Sequence, residues 1–185
     1  ATPGVVIDDL TAALTRAIEE LTRPVDAIKH QAKTVTVGIS RSDEGVLDRA
    51  LVQALLGAEH DSEIIFTSCG TESDSTAILS ALKAQPDRNT VITTNVEHPA
   101  ILTLCDWLEK EGYIVHMLKV DKKGRIDMDE YKSLLHDRVA IVSAMWANNE
   151  TGTIFPVVEM AELAAAKGIM FHTDAVQAVG KIPID

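Results

Sequence analysis

The stretch that decides the fold of this chain is GIMFHTDAVQAVGK, at positions 168–181. An apolar run ends on Asp174, and Gln177 follows three positions later among small residues. This pattern predicts a buried strand that brings both side chains to its carboxyl end, where open α/β sheets bind ligands. An acid at that place can hold a proton on a ring nitrogen, and an amide can donate to a ring oxygen. Alternatively, Asp174 simply caps the helix that follows.

Composition and charge exclude several classes of function. The 185 residues suffice for one core but not for two ordinary domains. A net charge of −11 without a Lys/Arg cluster disfavours nucleic-acid binding. No apolar run approaches the roughly 18 residues of a membrane span and no leader pattern occurs, so a cytoplasmic location is expected. Cys69 and Cys105 lack the spacing of a disulfide framework or a metal site.

Outside the opening stretch, short apolar runs alternate with helical patterns. Strands are predicted at 64–67, 91–94, 113–118, 139–145 and 169–172. Helices are predicted at 46–56, 76–82, 99–112, 128–135 and 157–166, with a turn at 68–73. Strands separated by helices predict an α/β fold with a mostly parallel, doubly wound sheet.

The beginning of the chain is different in character. Residues 5–22 have the apolar spacing of an amphipathic helix, and residues 34–39 alternate Thr and Val as a strand does. The composition shifts near 57–62. We therefore expect an atypical N-terminal segment at 1–57 and a ligand-binding domain at 58–185.

Two predicted strand ends carry polar residues suited to a ligand. The loop after residue 67 contains Gly70 and Thr71. Glycine lets the backbone approach a ligand, and a helix N-terminus offers free amides, so this loop suits a phosphate. The loop after residue 94 contains His98, which can stack on an aromatic ring and move protons near neutral pH. A cap or a surface position is the alternative for His98.

A third strand end carries two adjacent amides followed by an acid. Asn148, Asn149 and Glu150 follow the strand predicted at 139–145. Their hydrogen bonds can orient a planar ligand or a substrate carboxylate. The alternative is an Asn-rich turn without a ligand.

Four segments match the motifs of a known family. They are FTSCGTESD at 66–74, VEHPA at 96–100, NNETG at 148–152 and HTDAVQAVGK at 172–181. In these segments the chain, from about residue 51 to 185, resembles the NifS/IscS-type cysteine desulfurases. That family belongs to the class V aminotransferase group of fold type I pyridoxal phosphate (PLP) enzymes. The resemblance implies that residues 58–185 form part of the PLP-binding large domain.

The resemblance implies how the cofactor is held. Gly70 and Thr71 would bind the PLP phosphate, Asp174 would keep the ring nitrogen protonated, and Gln177 would bond the phenolic oxygen. A protonated ring is the electron sink for a carbanion at the substrate α-carbon.

Catalysis and partners are also implied by the resemblance. His98 would stack on the pyridine ring and assist proton transfer, and Asn149 would bond the ring oxygen or the substrate carboxylate. Intact relatives convert L-cysteine to L-alanine and pass the sulfur to an acceptor or iron–sulfur scaffold protein. The resemblance further implies a homodimer, whereas the absence of a metal site, of nucleic-acid binding and of a membrane span is expected from cysteine spacing, charge and composition.

Some family features do not occur in these 185 residues. The Schiff-base lysine of a Ser-Gly-His-Lys motif and the persulfide cysteine are absent, and neither Lys181 nor Cys69 replaces them. We therefore expect no covalent attachment of PLP through the family lysine and no turnover of cysteine by this chain. Residues 23–41 resemble the glucosamine-6-phosphate synthase-like sugar aminotransferases. A non-catalytic assembly or dimerisation module and a rearranged fragment remain as alternatives.

Overall fold

The computed structural model describes residues 35–38 and 49–183. The helix predicted at 5–22 lies outside the described residues. Contacts divide the chain into two compact units, one comprising 1–35, 42–65 and 179–185 and the other comprising 36–41 and 66–178. The division predicted at residue 57 stays a prediction. No described helix has both the length and the apolar character needed to cross a membrane.

The first unit contains helix α1, Arg49–Leu56, and a short 3-10 helix, Asp61–Glu63. Helix α1 buries Val52, and the Arg49 guanidinium donates to the main-chain oxygen of Ile64 at 2.6 Å. Strand β1, Val35–Gly38, and strand β2, Ile64–Thr67, form a two-stranded sheet.

The second unit holds the larger sheet and the helices that flank it. Its elements are α2 (Gly70–Ala84), β3 (Thr90–Thr94), α3 (Pro99–Lys110), β4 (Ile114–Leu118), α4 (Met128–Leu134), β5 (Val139–Ser143), α5 (Val157–Ala165) and β6 (Met170–His172). The strand order is β4-β3-β5-β6, and all three pairings are parallel. The predicted α/β fold with a parallel sheet is therefore confirmed.

Strands β3 and β5 are the centre of this sheet. Every residue of both strands is buried, as expected for parallel strands covered on both faces. Because side chains alternate along a strand, Ile92 joins a cluster with α4 and α5, whereas its neighbour Val91 joins a cluster with α2 and α3. Helices thus cover both faces, and the carboxyl ends of the strands are left to form a site.

Helix α2 begins earlier than its sequence predicts. The turn predicted at 68–73 is only two residues long, because the helix starts at Gly70. Both the amide and the hydroxyl of Ser68 donate to the Glu72 carboxylate, at 2.7 and 2.6 Å. These bonds tighten the entry to the first helical turn, so the main chain turns from β2 into α2 at once.

Candidate functional site

A cleft of about 280 Å³ lies in the second unit, where α2 begins and where β3, β5 and β6 end. Its walls are formed by Gly70, Thr71, Asp74, His98, Met145, Ala147, Asn149, Asp174, Val176 and Gln177. All six residues predicted from the sequence as cofactor-binding are among them. The structure brings these residues together, and their individual roles stay predictions.

The N-terminus of α2 supplies Gly70 and Thr71 to the cleft. The first amides of a helix have no intrahelical partner, and the helix dipole makes this end positive. A Cβ at position 70 would lie 4.0 Å from Cγ2 of Val176, another residue of the cleft wall. Glycine therefore leaves the main chain open on the side that an anion would approach.

Cys69, which precedes α2, is exposed. The main-chain amide of Glu72 and the hydroxyl of Ser68 lower the pKa of the Cys69 thiol. This effect comes from the same helix start that offers amides to the cleft.

His98 is both a helix cap and a residue of the cleft wall. It precedes α3, and its Nδ1 accepts a hydrogen bond from the amide of Ala100 at 3.2 Å. Because Nδ1 is an acceptor there, a neutral His98 carries its proton on Nε2. The cap proposed from sequence as the alternative is thus present, and it leaves Nε2 as the nitrogen that can donate.

Asp174 combines a hydrogen bond from the turn that follows it with a place in the cleft. Residues 176–180 form this turn and not the helix that the capping alternative requires. The Oδ1 atom of Asp174 accepts from the amide of Val176 at 3.0 Å. Its main-chain oxygen accepts from the amide of Trp146 at 2.9 Å, which ties the turn after β6 to the loop after β5. The half-buried carboxylate is therefore held by the Val176 amide and the main chain of Asp174 by the Trp146 amide, and Gln177 lies three positions further on.

The two adjacent asparagines differ in their surroundings. Asn148 is buried, its Oδ1 accepts from the amides of Glu150 and Thr151, and its Nδ2 donates to the main-chain oxygen of Val96. Asn149 is exposed and lines the cleft. The Asn-rich turn suggested as an alternative describes Asn148, whereas Asn149 can contact a ligand.

Sequence reasoning missed two acidic residues at this site. Asp74 lines the cleft and faces Nε2 of His172 at 3.5 Å, and Nδ1 of His172 hydrogen-bonds the Ser143 hydroxyl at 2.9 Å. Asp74 lies four positions after Gly70 in α2, on the same side of the helix. That spacing is a signal from which Asp74 could have been identified.

Glu97 is the second missed residue, and it is buried. The Thr94 hydroxyl donates to its Oε1 at 2.5 Å, and the amide of Met145 donates to both carboxylate oxygens. The pKa of Glu97 is raised to about 7. Burial is the main cause, the charges of Asp174 and Asp74 add to it, and the hydrogen bonds from Thr94 and Met145 oppose it. The sequence gives no signal for this, since the donor Met145 belongs to another loop, 48 positions away.

The carboxylates of Asp74, Glu97 and Asp174 thus differ in their burial and in the groups that contact them. Asp74 has a histidine beside it, and Glu97 takes up a proton near neutral pH. Asp174 is half-buried and receives a single main-chain amide on Oδ1. Within residues 35–38 and 49–183, no group of three or more His, Cys, Asp or Glu residues is placed to hold a metal.

Comparison with known proteins identifies similar sequences and structures. The chain is 77% identical over 137 residues to "Cysteine desulfurase NifS" of Azotobacter vinelandii, which covers 74% of this chain and 34% of the relative. A solved structure titled "NifS-like protein" is 37% identical with a TM-score of 0.70, covering 74% of this chain and 38% of its own. Another solved structure, titled "SspA in complex with cysteine", is 25% identical with a TM-score of 0.67. The match covers 100% of this chain and 45% of that structure's chain.

These matches confirm the resemblance to NifS-type cysteine desulfurases. The chain spans about a third of the length of the curated relatives it matches. The model of the family described as "Aminotransferase class-V" matches residues 5–185. This range includes most of the first fifty residues, where the sequence resembles sugar aminotransferases. The chain belongs to the class V aminotransferase family.

Proposed function

We propose that the cleft binds pyridoxal 5'-phosphate as part of a cysteine desulfurase. The observation that carries this proposal is the convergence of a helix N-terminus, a carboxylate, a histidine and two amides on one cleft. These groups match the phosphate, the ring nitrogen, the ring face and the ring oxygen of that cofactor. The volume of about 280 Å³ is near the lower end of known ligand pockets.

The phosphate would lie at the start of α2. The main-chain amides beside Gly70 and the Thr71 hydroxyl would donate to it, and the positive end of the helix dipole would stabilise its charge. The open backbone at Gly70 supports this placement, because a side chain there would project toward Val176 and fill part of the cleft.

Asp174 is the carboxylate best suited to the ring nitrogen. Asp74 is paired with Nε2 of His172 at 3.5 Å, and buried Glu97 itself holds a proton up to a pH of about 7. Asp174 faces the cleft from a position fixed by Val176 and by Trp146. It would therefore hold the proton at the ring nitrogen, while Gln177 donates its amide to the phenolic oxygen.

When bound, PLP supplies an electron sink for negative charge at a substrate α-carbon. His98 would lie against the ring face and move a proton at Nε2, since its Nδ1 is occupied by the amide of Ala100. Asn149 would bind the ring oxygen or the carboxylate of an amino-acid substrate and so orient it.

The substrate and partners are part of the same proposal. L-cysteine would be converted to L-alanine, and its sulfur would pass to an acceptor protein for iron–sulfur cluster assembly. Two relatives are cysteine desulfurases by name and one similar structure is a complex with cysteine, which supports the cysteine desulfurase reaction. We further propose that the protein acts as a homodimer in the cytoplasm.

Cofactor binding can be tested on the 185-residue chain with the substitution Asp174→Asn. The loss of the negative charge should raise the PLP dissociation constant at least about tenfold, since a hydrogen bond to a charged group contributes roughly 1.5–3 kcal/mol. PLP absorbance and quenching of tryptophan fluorescence would report binding, and circular dichroism would report folding. Asp137→Asn, at an exposed position outside the cleft, is the matched control. Equal affinities of Asp174→Asn and the original chain would contradict the assignment.

A further inference from the structure

Two loops of the cleft are joined by reciprocal hydrogen bonds between side chain and main chain. From the loop after β3, the Glu97 carboxylate accepts from the amide of Met145 at 3.1 and 3.0 Å. From the loop after β5, the side-chain Nδ2 of Asn148 donates in the opposite direction, to the main-chain oxygen of Val96 at 3.0 Å. Each loop therefore contributes one side chain and one main-chain group to the pair of contacts.

Both side chains are held in place before they reach across. Glu97 is 4% exposed and receives the Thr94 hydroxyl from the end of β3. Asn148 is 6% exposed, and its Oδ1 accepts from the amides of Glu150 and Thr151 in its own loop. Hydrogen bonds in such buried positions are costly to leave unmade, so the two loops are fixed to one another.

Each of these residues directly precedes a residue of the cleft wall. Glu97 is followed by His98, and Asn148 is followed by Asn149. Because the peptide bond is planar and short, fixing Glu97 and Asn148 restricts where the next residue can lie.

We propose that Glu97 and Asn148 are positioning residues that set the separation of His98 and Asn149 across the cleft. The inference rests on the proposed function only for the choice of PLP as the ligand probe. Neither residue lines the cleft, so both act through their neighbours.

The clamp formed by Glu97 and Asn148 should respond to pH. The titratable groups around Glu97 are Asp74 on α2, Asp174 after β6 and Cys105 on α3, and Cys105 is uncharged because burial raises its pKa to about 12. An ionised Glu97 offers two acceptor oxygens to the Met145 amide, whereas a protonated one must donate its own hydrogen, for which Thr94 Oγ1 is the neighbouring acceptor. Ionisation therefore strengthens the contact that joins the loops, and a protonated Glu97, like Glu97→Gln, keeps that contact through its remaining acceptor oxygen.

The contact itself is tested by NMR on the 185-residue chain. In Glu97→Ala, the Met145 amide should exchange with solvent about tenfold faster, relative to the amide of Val142 in β5, since its acceptor is gone. In Glu97→Gln, which retains an acceptor oxygen, the protection should return. The Met145 amide shift should titrate near pH 7 in the original chain and not in Glu97→Gln. Glu162→Ala, at an exposed position of α5, is the control.

The effect on the cleft is tested by PLP affinity. Glu97→Ala and Asn148→Ala should each weaken PLP binding about tenfold. The double variant should bind little more weakly than either, because both changes free the same distance between His98 and Asn149. The PLP affinity of Glu97→Gln should stay within about twofold of that of the original chain, since glutamine keeps an acceptor oxygen for the Met145 amide. Such a rescue would show that the loss in Glu97→Ala comes from the missing hydrogen bond and not from the missing buried side chain. If Glu97→Ala does not fold, Asn148→Ala and Glu97→Gln carry the same comparison.

The outcomes separate this inference from the proposed function. If the original chain does not bind PLP, the proposed function fails, and exchange and titration at Met145 still decide whether the clamp exists. Unchanged Met145 exchange in Glu97→Ala would overturn the clamp. Fully multiplicative losses of PLP affinity in the double variant would overturn the shared role of the two residues.

Discussion

Glu97 and Asp174 are both acids beside one cleft, yet their surroundings fit them for different tasks. Glu97 is buried, and its bonds run to Thr94 and Met145 within the protein. Asp174 is half-buried and lines the cleft. Because burial disfavours a charge, Glu97 retains a proton to higher pH and connects two loops, whereas Asp174 in the cleft wall can contact a ligand.

The pKa of Glu97 leads to a prediction about stability. Its folded-state pKa of about 7 lies above the ordinary value of 4.5. Between these pH values the unfolded chain loses the proton that the folded chain retains, so stability falls as pH rises from 4.5 to 7 and the loss is complete above 7. The shift corresponds to roughly 3 kcal/mol.

Glu97→Gln should remove this part of the pH dependence. Urea unfolding of both proteins at pH 4.5 and 7.5 measures it, with Glu162→Gln as the matched control. The free energy of unfolding of the original chain should fall by roughly 3 kcal/mol relative to Glu97→Gln between these two pH values. If the difference in free energy of unfolding between the two proteins is the same at both pH values, Glu97 ionises with its ordinary pKa in the folded chain.

At the scale of elements, apolar patterns predicted the central strands well. The strand predicted at 91–94 is observed as Thr90–Thr94, because all of its residues are β-branched and favour a strand. The sequence predicts helix α2 only from residue 76, whereas the helix begins at Gly70. The Ser68–Glu72 hydrogen bonds that close its first turn depend on side-chain placement, which the sequence pattern does not show. Gly70 and Asp174 were found because motif residues at strand ends are visible in sequence. Glu97 was not, because its donor Met145 lies 48 positions away.

The short helix α4 depends on its N-cap. Its seven residues give it few internal hydrogen bonds, and Oδ1 of Asp127 accepts from the amides of Asp129 and Glu130 at 2.9 and 3.1 Å. Asp127→Ala should therefore destabilise the chain by about 1 kcal/mol. Chemical denaturation would measure this, with Asp137→Ala as an exposed control that caps no helix. Equal losses for both variants would indicate that the cap does not stabilise α4.

At the scale of the molecule, the larger sheet exposes apolar groups on its outer strands. Among the described residues, β4 pairs only with β3, and β6 pairs only with β5. Ile114 and Met117 on β4 and Met170 on β6 are exposed large hydrophobic residues. Free strand edges with apolar side chains favour association with another chain. The sequence alone predicted such a surface, and the structure places candidate residues on it.

The 185-residue chain should therefore form a dimer or a larger species in solution. Because β4 exposes two apolar side chains, a lysine there should disfavour edge pairing through its charge and hydration. Met117→Lys should shift sedimentation velocity toward a monomer, whereas Val158→Lys, at an exposed apolar position of α5, should leave the association unchanged. A 20.0 kDa monomer at every concentration, without binding of a dye specific for apolar surface, would show that the exposed edges do not drive association.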